Sequence, residues 1–318
     1  FRCKNPPRTG VKVGVDVEPV VTGPITEVVS ASGEIRYDST RVAPLSSKAA
    51  GTVWRVDKKL GDPVRQGEVL ALVDAAEVGR LKTELLSALA EASLREKNVR
   101  RTDELTAKGI TADRQKQEAE VEWTKAKTRI LGAEQALINL GLAVSHEALR
   151  GLSEDELAAR IRLVGLPDSI VDELGAATTT SNLIPVISRL NGVVVSREVV
   201  ADQVVDTARV LFKVADTSRM WLFLNVPFED AGLVEPGQPV KFRPDGAAEE
   251  VTGVVTWVST AVDPSTRTVE VRANLDNSAG RLRAETFGTG RLVLREEPEA
   301  VLVPSEACSV SEYSRVLP

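Results

Sequence analysis

The stretch that decides the fold is Gly51-Thr52-Val53-Trp54-Arg55-Val56, followed by Gly61-Asp62-Pro63-Val64 and Gly67-Glu68-Val69-Leu70. A second version of it appears later as Gly192-Val193-Val194-Val195, Ala201-Asp202-Gln203-Val204 and Arg209-Val210-Leu211-Phe212. Gly51 and Gly192 are 141 positions apart, Asp62 and Asp202 are 140 apart, and Val69 and Val210 are again 141 apart. This spacing predicts that the second copy has one residue fewer than the first before Asp202 and one residue more between Asp202 and Val210.

Each copy alternates short β-branched runs with Gly and Asp turns, which predicts a small unit of about three or four strands. One such unit is too small to bury a core, whereas two interlocked copies can form a flattened β-sandwich. We therefore predict one sandwich domain from residues 41–76 and 183–216, interrupted by a long insertion.

The repeated half resembles one half of a biotinyl/lipoyl domain, whose carrier lysine lies on the hairpin that joins the halves. Here the halves are separated by residues 75–191, which contain neither a Met-Lys-Met nor an Asp-Lys-Ala triplet. A carrier protein for biotin or lipoate is therefore disfavoured, and no cofactor is expected. Split halves with a long helical insertion resemble the membrane fusion proteins, the periplasmic adaptor subunits of tripartite efflux pumps. The resemblance extends over nearly the whole chain.

Composition agrees with several domains and argues against some partners. With 318 residues, 42% of them hydrophobic and 4% aromatic, the chain can form about two to four domains. The net charge of -6 and the absence of a basic stripe argue against a nucleic-acid partner, and none is expected. No apolar run approaches the length of about 18 residues that a membrane span requires, and Phe1-Arg2-Cys3-Lys4 is not a signal peptide. We expect a membrane anchor, if the protein has one, upstream of Phe1.

The insertion begins with two apolar seams of helical spacing. Residues recur every seven positions in both seams, which predicts an antiparallel coiled-coil hairpin over residues 77–144. The first seam is Val78, Leu81, Leu85, Ala88, Ala92 and Val99; the second is Ala119, Trp123, Ala126, Ile130, Ala133, Leu137, Leu140 and Val144. The charged outer faces are typical of a solvated coiled-coil surface.

The predicted tip of this hairpin carries Arg101, Leu105 and Thr111. A purely structural interpretation is available, because Gly109 can end the first helix and Thr111 can cap the second. In the family that the chain resembles, the tip carries Arg, Leu four positions later and Ser six positions beyond that, and these residues contact the outer-membrane channel. The resemblance therefore implies that Arg101, Leu105 and Thr111 bind the channel, with Thr in place of Ser.

The remaining segments predict further domains. Residues 145–182 contain a capping box at Ser153 and Glu156, and short helices and a linker are expected there. Strands and turns over residues 217–296 predict a small β-barrel. The barrel resembles that of the adaptors, except that Ala284-Glu285-Thr286 stands where the family has Pro-Gly-Met. By the same resemblance, residues 1–40 and 297–318 imply a membrane-proximal β domain, which we expect to be incomplete. The fold class expected is mainly β with a long α-helical hairpin, in an elongated multidomain chain.

Residues that carry chemistry are few. His146, Met220, Cys3 and Cys308 lack the spacing of metal ligands, so neither a metal site nor a catalytic set is predicted. His146 is expected to begin a helix, and Met220 is expected in the barrel core. Cys3 and Cys308 could form a disulfide if both chain ends share one domain.

We therefore predict a non-enzymatic periplasmic adaptor. The resemblance implies an inner-membrane transporter of the resistance-nodulation-division (RND) class as one partner and an outer-membrane channel as the other. It also implies self-association of about six copies. The heavy-metal branch fits the layout best, although the substrate stays open between a metal ion and an organic compound. The alternatives are an adaptor of an ABC-type exporter or secretion system, and a periplasmic metal-binding chaperone, which would need a segment rich in His and Met.

Overall fold

The computed structural model describes residues 21–108, 113–149, 151–174 and 180–302. The described residues divide into two compact units. The first contains residues 37–220 and 277–281, and the second contains residues 21–36, 221–276 and 282–302. The strands are β1 (Val21–Tyr37), β2 (Val42–Leu45), β3 (Gly51–Val56), β4 (Pro63–Val64), β5 (Val69–Asp74), β6 (Leu183–Ile187), β7 (Gly192–Arg197), β8 (Val204–Val205), β9 (Phe212–Ala215), β10 (Arg219–Pro227), β11 (Pro239–Pro244), β12 (Val251–Asp263), β13 (Thr268–Asp276) and β14 (Thr286–Leu302). The α-helices are α1 (Ala76–Ala107), α2 (Asp113–Asn139), α3 (Glu154–Arg162), α4 (Asp168–Leu174) and α5 (Phe228–Ala231).

The first unit contains a sandwich of two four-stranded sheets. Sheet 1 has the order β2-β9-β7-β4, and sheet 2 has the order β6-β5-β3-β8. Both sheets mix the two copies of the repeat, since β3 pairs with β5 of its own copy and with β8 of the other. Side chains such as Val53, Leu70 and Phe212, each 0% exposed, fill the space between the sheets. The two copies are thus interlocked around one core, as their similarity predicts.

The two copies match at a constant offset of 141 residues. Asp57 N–H donates to Leu70 O (2.8 Å), and Glu198 N–H donates to Leu211 O (2.9 Å). At the turn between strands, Gly61 N–H donates to Val194 O and Asp202 N–H donates to Val53 O, so Asp202 is the counterpart of Gly61. The predicted loss and regain of one residue is therefore wrong. The error came from aligning Asp62 with Asp202, whereas Asp202 occupies the left-handed turn position (φ 63°) that Gly61 fills in the first copy (φ 87°).

Glycine begins each copy because another part of the same copy approaches its backbone. A Cβ on Gly51 would lie 2.1 Å from Asp74 O, and a Cβ on Gly192 would lie 2.3 Å from Ala215 O. Both distances are too short for any side chain to fit. The repeated glycine is therefore a packing requirement of the strand pair.

Helices α1 and α2, called the helix pair below, pack against each other along their apolar faces. The buried apolar side chains of α1 include Val78, Leu81, Leu85, Ala88 and Ala92, and those of α2 are Ala126, Ile130, Ala133 and Leu137. Arg129 forms an ion pair with Glu91, and Lys116 forms one with Asp103. Because positions rise along α1 as they fall along α2, the two helices are antiparallel. The predicted turn at Gly109 and Thr111 lies outside the described residues.

The segment that follows the helix pair forms short helices. His146 opens a 3-10 helix that ends at Leu149, as predicted. Ser153 caps α3, and its backbone N–H donates to the Glu156 carboxylate at 2.9 Å, which confirms the capping box. Helix α4 follows after the turn at Gly165.

The second unit is a closed barrel with the order β1-β10-β13-β12-β11-β14. Its interior holds Ile35, Leu222, Phe242 and Val271, each 0% exposed. The structure corrects the division predicted at residue 40, because β1 pairs with β14 from Val21↔Leu302 to Ile35↔Thr286. The later part of β1 thus belongs to the barrel, since Val29, Ala31 and Ile35 alternate as buried side chains, whereas residues 24–28 are exposed. The rest of the predicted membrane-proximal domain, residues 1–20 and 303–318, lies outside the described residues.

In the turn before β14, Glu285 lies where the adaptors that the chain resembles have glycine. Glu285 has a positive φ of 63°, a conformation that glycine adopts without cost and glutamate does not. Its backbone N–H donates to Ile35 O at 2.7 Å, which holds the turn against β1. The change at this position leaves the barrel closed. Within the described residues, no helix combines the length and the apolar character that crossing a membrane requires.

Candidate functional site at the end of the helix pair

The last turns of α1 present the residues predicted to bind a partner. Arg101 is exposed and Leu105 is partly buried. The two lie four positions apart, so their side chains share one face of the helix. Thr111, the third predicted residue, lies outside the described residues. The structure therefore brings two of the three predicted side chains together.

Local hydrogen bonds hold Arg101 and the two threonines on either side of Leu105. The Arg101 guanidinium donates through Nη2 to Asn98 Oδ1 at 2.7 Å. Thr102 and Thr106 donate their hydroxyls to carbonyls one turn earlier, at 2.5 Å and 2.8 Å. The threonine hydroxyls are thus satisfied within the helix. The arginine head group remains exposed beside a partly buried leucine, and arginine is enriched among the residues that dominate binding at protein interfaces.

An ion pair between the two helices lies close to this face. Lys116 Nζ is 2.5 Å from Asp103 Oδ1, two positions from Arg101 along α1. The hydrogen bond with Asp103 raises the pKa of Lys116. Sequence reasoning missed this contact. The antiparallel pairing of the two seams contains the signal, because it places position 103 opposite position 116.

Farther from the tip, one lysine is buried near the start of α1. Lys82 is 1% exposed, and its Nζ donates to Arg162 O at 2.8 Å. Burial lowers the pKa of Lys82 from 10.5 to about 8. Lys82 follows Leu81 of the first seam, and no periodicity distinguished it from the exposed lysines of the helix. Only its hydrogen-bond partner, the Arg162 carbonyl at the end of α3, distinguishes Lys82 from those lysines.

The other residues considered for chemistry have structural surroundings. The His146 ring Nδ1 lies 3.0 Å from each carboxylate oxygen of Glu134, a side chain on α2 that is 10% exposed. Met220 is 1% exposed, as predicted for a core residue. Cys3 and Cys308 lie outside the described residues. Across the ranges that the structure describes, no three or more His, Cys, Asp or Glu side chains form a group suited to a metal ion.

The fold has the domain composition of a known family. Residues 41–216 match the family model described as the CzcB-like, barrel-sandwich hybrid domain, and residues 219–296 match the CusB-like, beta-barrel domain. The chain belongs to the heavy-metal branch of the RND-type membrane fusion proteins. Both copies of the repeat fall within the first match, and β10–β13 fall within the second.

Two relatives show how far the similarity extends. The cobalt-zinc-cadmium resistance protein CzcB of Cupriavidus metallidurans is 24% identical over 93% of this chain and 51% of its own length. The nickel and cobalt resistance protein CnrB of the same organism is 27% identical over 80% of this chain and 59% of its own length. This membrane fusion protein therefore spans about half the length of the curated relatives that it matches.

Two solved structures have a similar fold. ZneB from Cupriavidus metallidurans superimposes with a TM-score of 0.56 at 25% identity, covering 86% of this chain and 100% of the other. A MacA-MexA chimera that contains the Pseudomonas aeruginosa MexA alpha-hairpin domain gives a TM-score of 0.62 at 20% identity, covering 91% and 88% of the two chains. The second likeness shows the fold alone.

Proposed function

We propose that this membrane fusion protein is the periplasmic adaptor subunit of a tripartite efflux pump. In this role it links an inner-membrane transporter of the RND class to an outer-membrane channel. The observation that carries the proposal is the split sandwich. Its two halves enclose an inserted helix pair, and the two family matches cover this sandwich and the barrel that follows.

The helix pair is proposed as the arm that reaches the channel. The helix α1 has 32 residues, so it extends about 48 Å at about 1.5 Å per residue. Its last turns carry exposed Arg101 and partly buried Leu105, and Thr111 follows in the chain. We propose that these three residues contact the channel: the leucine supplies apolar area, and the arginine donates hydrogen bonds to backbone carbonyls. The two helices would then act together as a coiled-coil hairpin.

The assembled state proposed is a ring of about six copies around a conduit. We propose no catalytic role for the chain, because the described residues considered for chemistry have structural surroundings. Met220 lies in a core, and the His146 ring is bound to the Glu134 carboxylate. A location in the periplasm follows from the proposed partners, which lie in the two membranes on either side of it.

The proposed cargo of the pump is a divalent transition-metal cation. CzcB and CnrB are named for resistance to cobalt, zinc, cadmium and nickel. Within the part of this chain that the structure describes, no cluster suited to such an ion is present. We therefore assign recognition of the cation to the transporter, and passage to the conduit that the adaptor completes.

A double substitution that reverses one charge and introduces another tests the docking role of the tip. Arg101→Asp combined with Leu105→Asp is expected to abolish resistance to the exported metal in cells that depend on this adaptor. The thermal midpoint should change little, since Arg101 is exposed and Leu105, although partly buried, lies in the last turn of α1. A matched control is Arg100→Asp with Leu94→Asp, which makes the same chemical changes on the same helix at side chains that are 75% and 65% exposed.

Resistance should survive in the control and fail in the tip variant at equal protein level. Normal resistance in the tip variant would contradict the docking assignment. Loss of resistance in both variants, with both proteins folded, would show that the whole helix surface is sensitive and that no contact is specific to the tip.

A further inference from the structure

The two sheets of the sandwich differ in what covers their outer faces. Leu72 in β5 is 0% exposed, whereas Lys213, its counterpart 141 residues later in β9, is exposed to solvent. Leu183 in β6 is 1% exposed, whereas its counterpart Val42 in β2 is only partly buried. Because the repeat makes these positions equivalent within the sandwich, the difference must come from a segment that lies against sheet 2 alone.

The covering segment is α4 with the turn before it. Leu166 and Ile170 form one buried cluster with Val69, Leu72 and Leu183 of sheet 2. Leu163 and Val171 pack at the margin of this cluster. The strand β5 is consequently buried on both faces, while β9 exposes Lys213.

The residues before this turn pack on the base of the helix pair, at the start of α1 and the end of α2. Leu142, Leu149 and Ile161 belong to the core cluster that contains Leu85 of α1 and Leu137 of α2. Two polar contacts reinforce this side. Lys82 of α1 donates to Arg162 O, the carbonyl at the end of α3, and Glu134 of α2 binds the ring and backbone N–H of His146.

We propose that residues 142–149 and 151–174, called the brace below, lock the base of the helix pair to the outer face of sheet 2 and thereby fix its direction relative to the sandwich. Helix α1 follows β5 after one residue, Ala75, so the covalent connection alone leaves room for a pivot. The brace removes this freedom because it contacts both parts at once. This inference concerns the isolated chain and does not depend on the proposed efflux function.

The repeat supplies the variant that tests the brace. Leu72→Lys places in the first copy the residue that the second copy already carries, so the strand itself tolerates the change. Burial of an unpaired ammonium beneath α4 should instead release the brace. The reverse change on the uncovered sheet, Lys213→Leu, is the matched control and should leave the brace in place.

Two readouts follow the release and its consequence. Amide hydrogen exchange over residues 168–174 should accelerate at least about tenfold in Leu72→Lys. Spin labels at Ser93→Cys and Arg197→Cys, both exposed, report the distance between helix pair and sandwich, with Cys3 and Cys308 changed to serine. The distance distribution should be narrow in the parent and in Lys213→Leu, and about twofold broader in Leu72→Lys.

Two results would overturn the proposal. One is faster exchange in α4 with an unchanged distance distribution, which would show that the brace covers the sheet without fixing the helix pair. The other is no change in either readout. If Leu72→Lys fails to fold, Gly165→Ala replaces it, because that residue has φ +80° and its added Cβ would lie 2.4 Å from the Leu142 side chain. Its control is Gly151→Ala, which has the same φ but no atom within 4 Å of the added Cβ, and the same two results decide.

Discussion

Removal of the buried charge at Lys82 should change how stability depends on pH. Lys82 is 1% exposed and makes one hydrogen bond, to Arg162 O at 2.8 Å. Burial lowers the pKa of Lys82 from 10.5 to about 8. Below pH 8 the amine is charged in both folded and unfolded chains, so folding carries the full cost of burying the charge. Between the two pKa values the unfolded chain binds a proton that the folded chain does not, and the free energy of unfolding therefore rises with pH.

The size of the effect follows from the two pKa values. A difference of one pKa unit between the folded and unfolded chains is worth about 1.4 kcal/mol, so the fall of the Lys82 pKa from 10.5 to about 8 corresponds to about 3 kcal/mol. Lys82→Met removes the buried charge and leaves the Arg162 carbonyl without this donor, which costs about 1–3 kcal/mol. At neutral pH the variant should therefore be as stable as the parent or slightly more stable.

The assay is denaturant unfolding from pH 7 to pH 10, followed by the helical circular dichroism signal. The free energy of unfolding of the parent minus that of Lys82→Met should rise by up to about 3 kcal/mol across this range, with most of the rise above pH 8. Taking the difference cancels groups that titrate equally in both proteins. An exposed lysine of the same helix, changed as Lys97→Met, should give a flat difference. A flat or falling difference for Lys82→Met would refute the reasoning.

Three further predictions concern the helix pair, the barrel and metal binding. Leu85→Asp places a charge at a position that is 0% exposed and should lower the free energy of unfolding by about 4 kcal/mol. Leu131→Asp is the control and should cost little, because that side chain is 57% exposed. Equal losses of stability in thermal melts of the two variants would contradict the packing of α1 against α2. Glu285→Gly relieves the strain of a positive φ and should raise the free energy of unfolding of the barrel by about 0.5 kcal/mol or more, measured by Trp221 and Trp257 fluorescence. A less stable variant would show that contacts of the glutamate side chain compensate for the strain. Titration with Zn²⁺ under reducing conditions should give no stoichiometric heat; a tight isotherm lost in His146→Ala would instead identify a metal site.

The repeat and the helical seams predict much of the fold because both depend on regular spacing. Two copies of one strand pattern must share a core, and seven-residue spacing must bury one face of each helix, as Leu85 and Leu137 show. Spacing did not fix the alignment inside the turn, where Asp62 and Asp202 are chemically alike but occupy different positions. Backbone conformation decides there, since Asp202 adopts the left-handed turn of Gly61.

Contacts between segments distant in sequence could not be predicted in the same way. The burial of Leu72, Leu183 and Lys82 depends on α3 and α4, which have weak patterns of their own. The barrel position of residues 21–37 depends on pairing with residues 286–302, a long-range register that no local pattern reports. For the candidate site, the sequence identifies Arg101 and Leu105 through a resemblance, while the Asp103–Lys116 contact beside them emerges only from the packing of the two helices.

The most direct test of the adaptor role is a photocrosslink from the tip in intact cells. A photoreactive amino acid replaces Leu105 in one variant and Leu94, 65% exposed on the same helix, in the other. The account predicts that Leu105, and not Leu94, crosslinks to an integral outer-membrane channel protein identified by mass spectrometry. An absence of any channel crosslink from Leu105, or an equal crosslink from both positions, would contradict it.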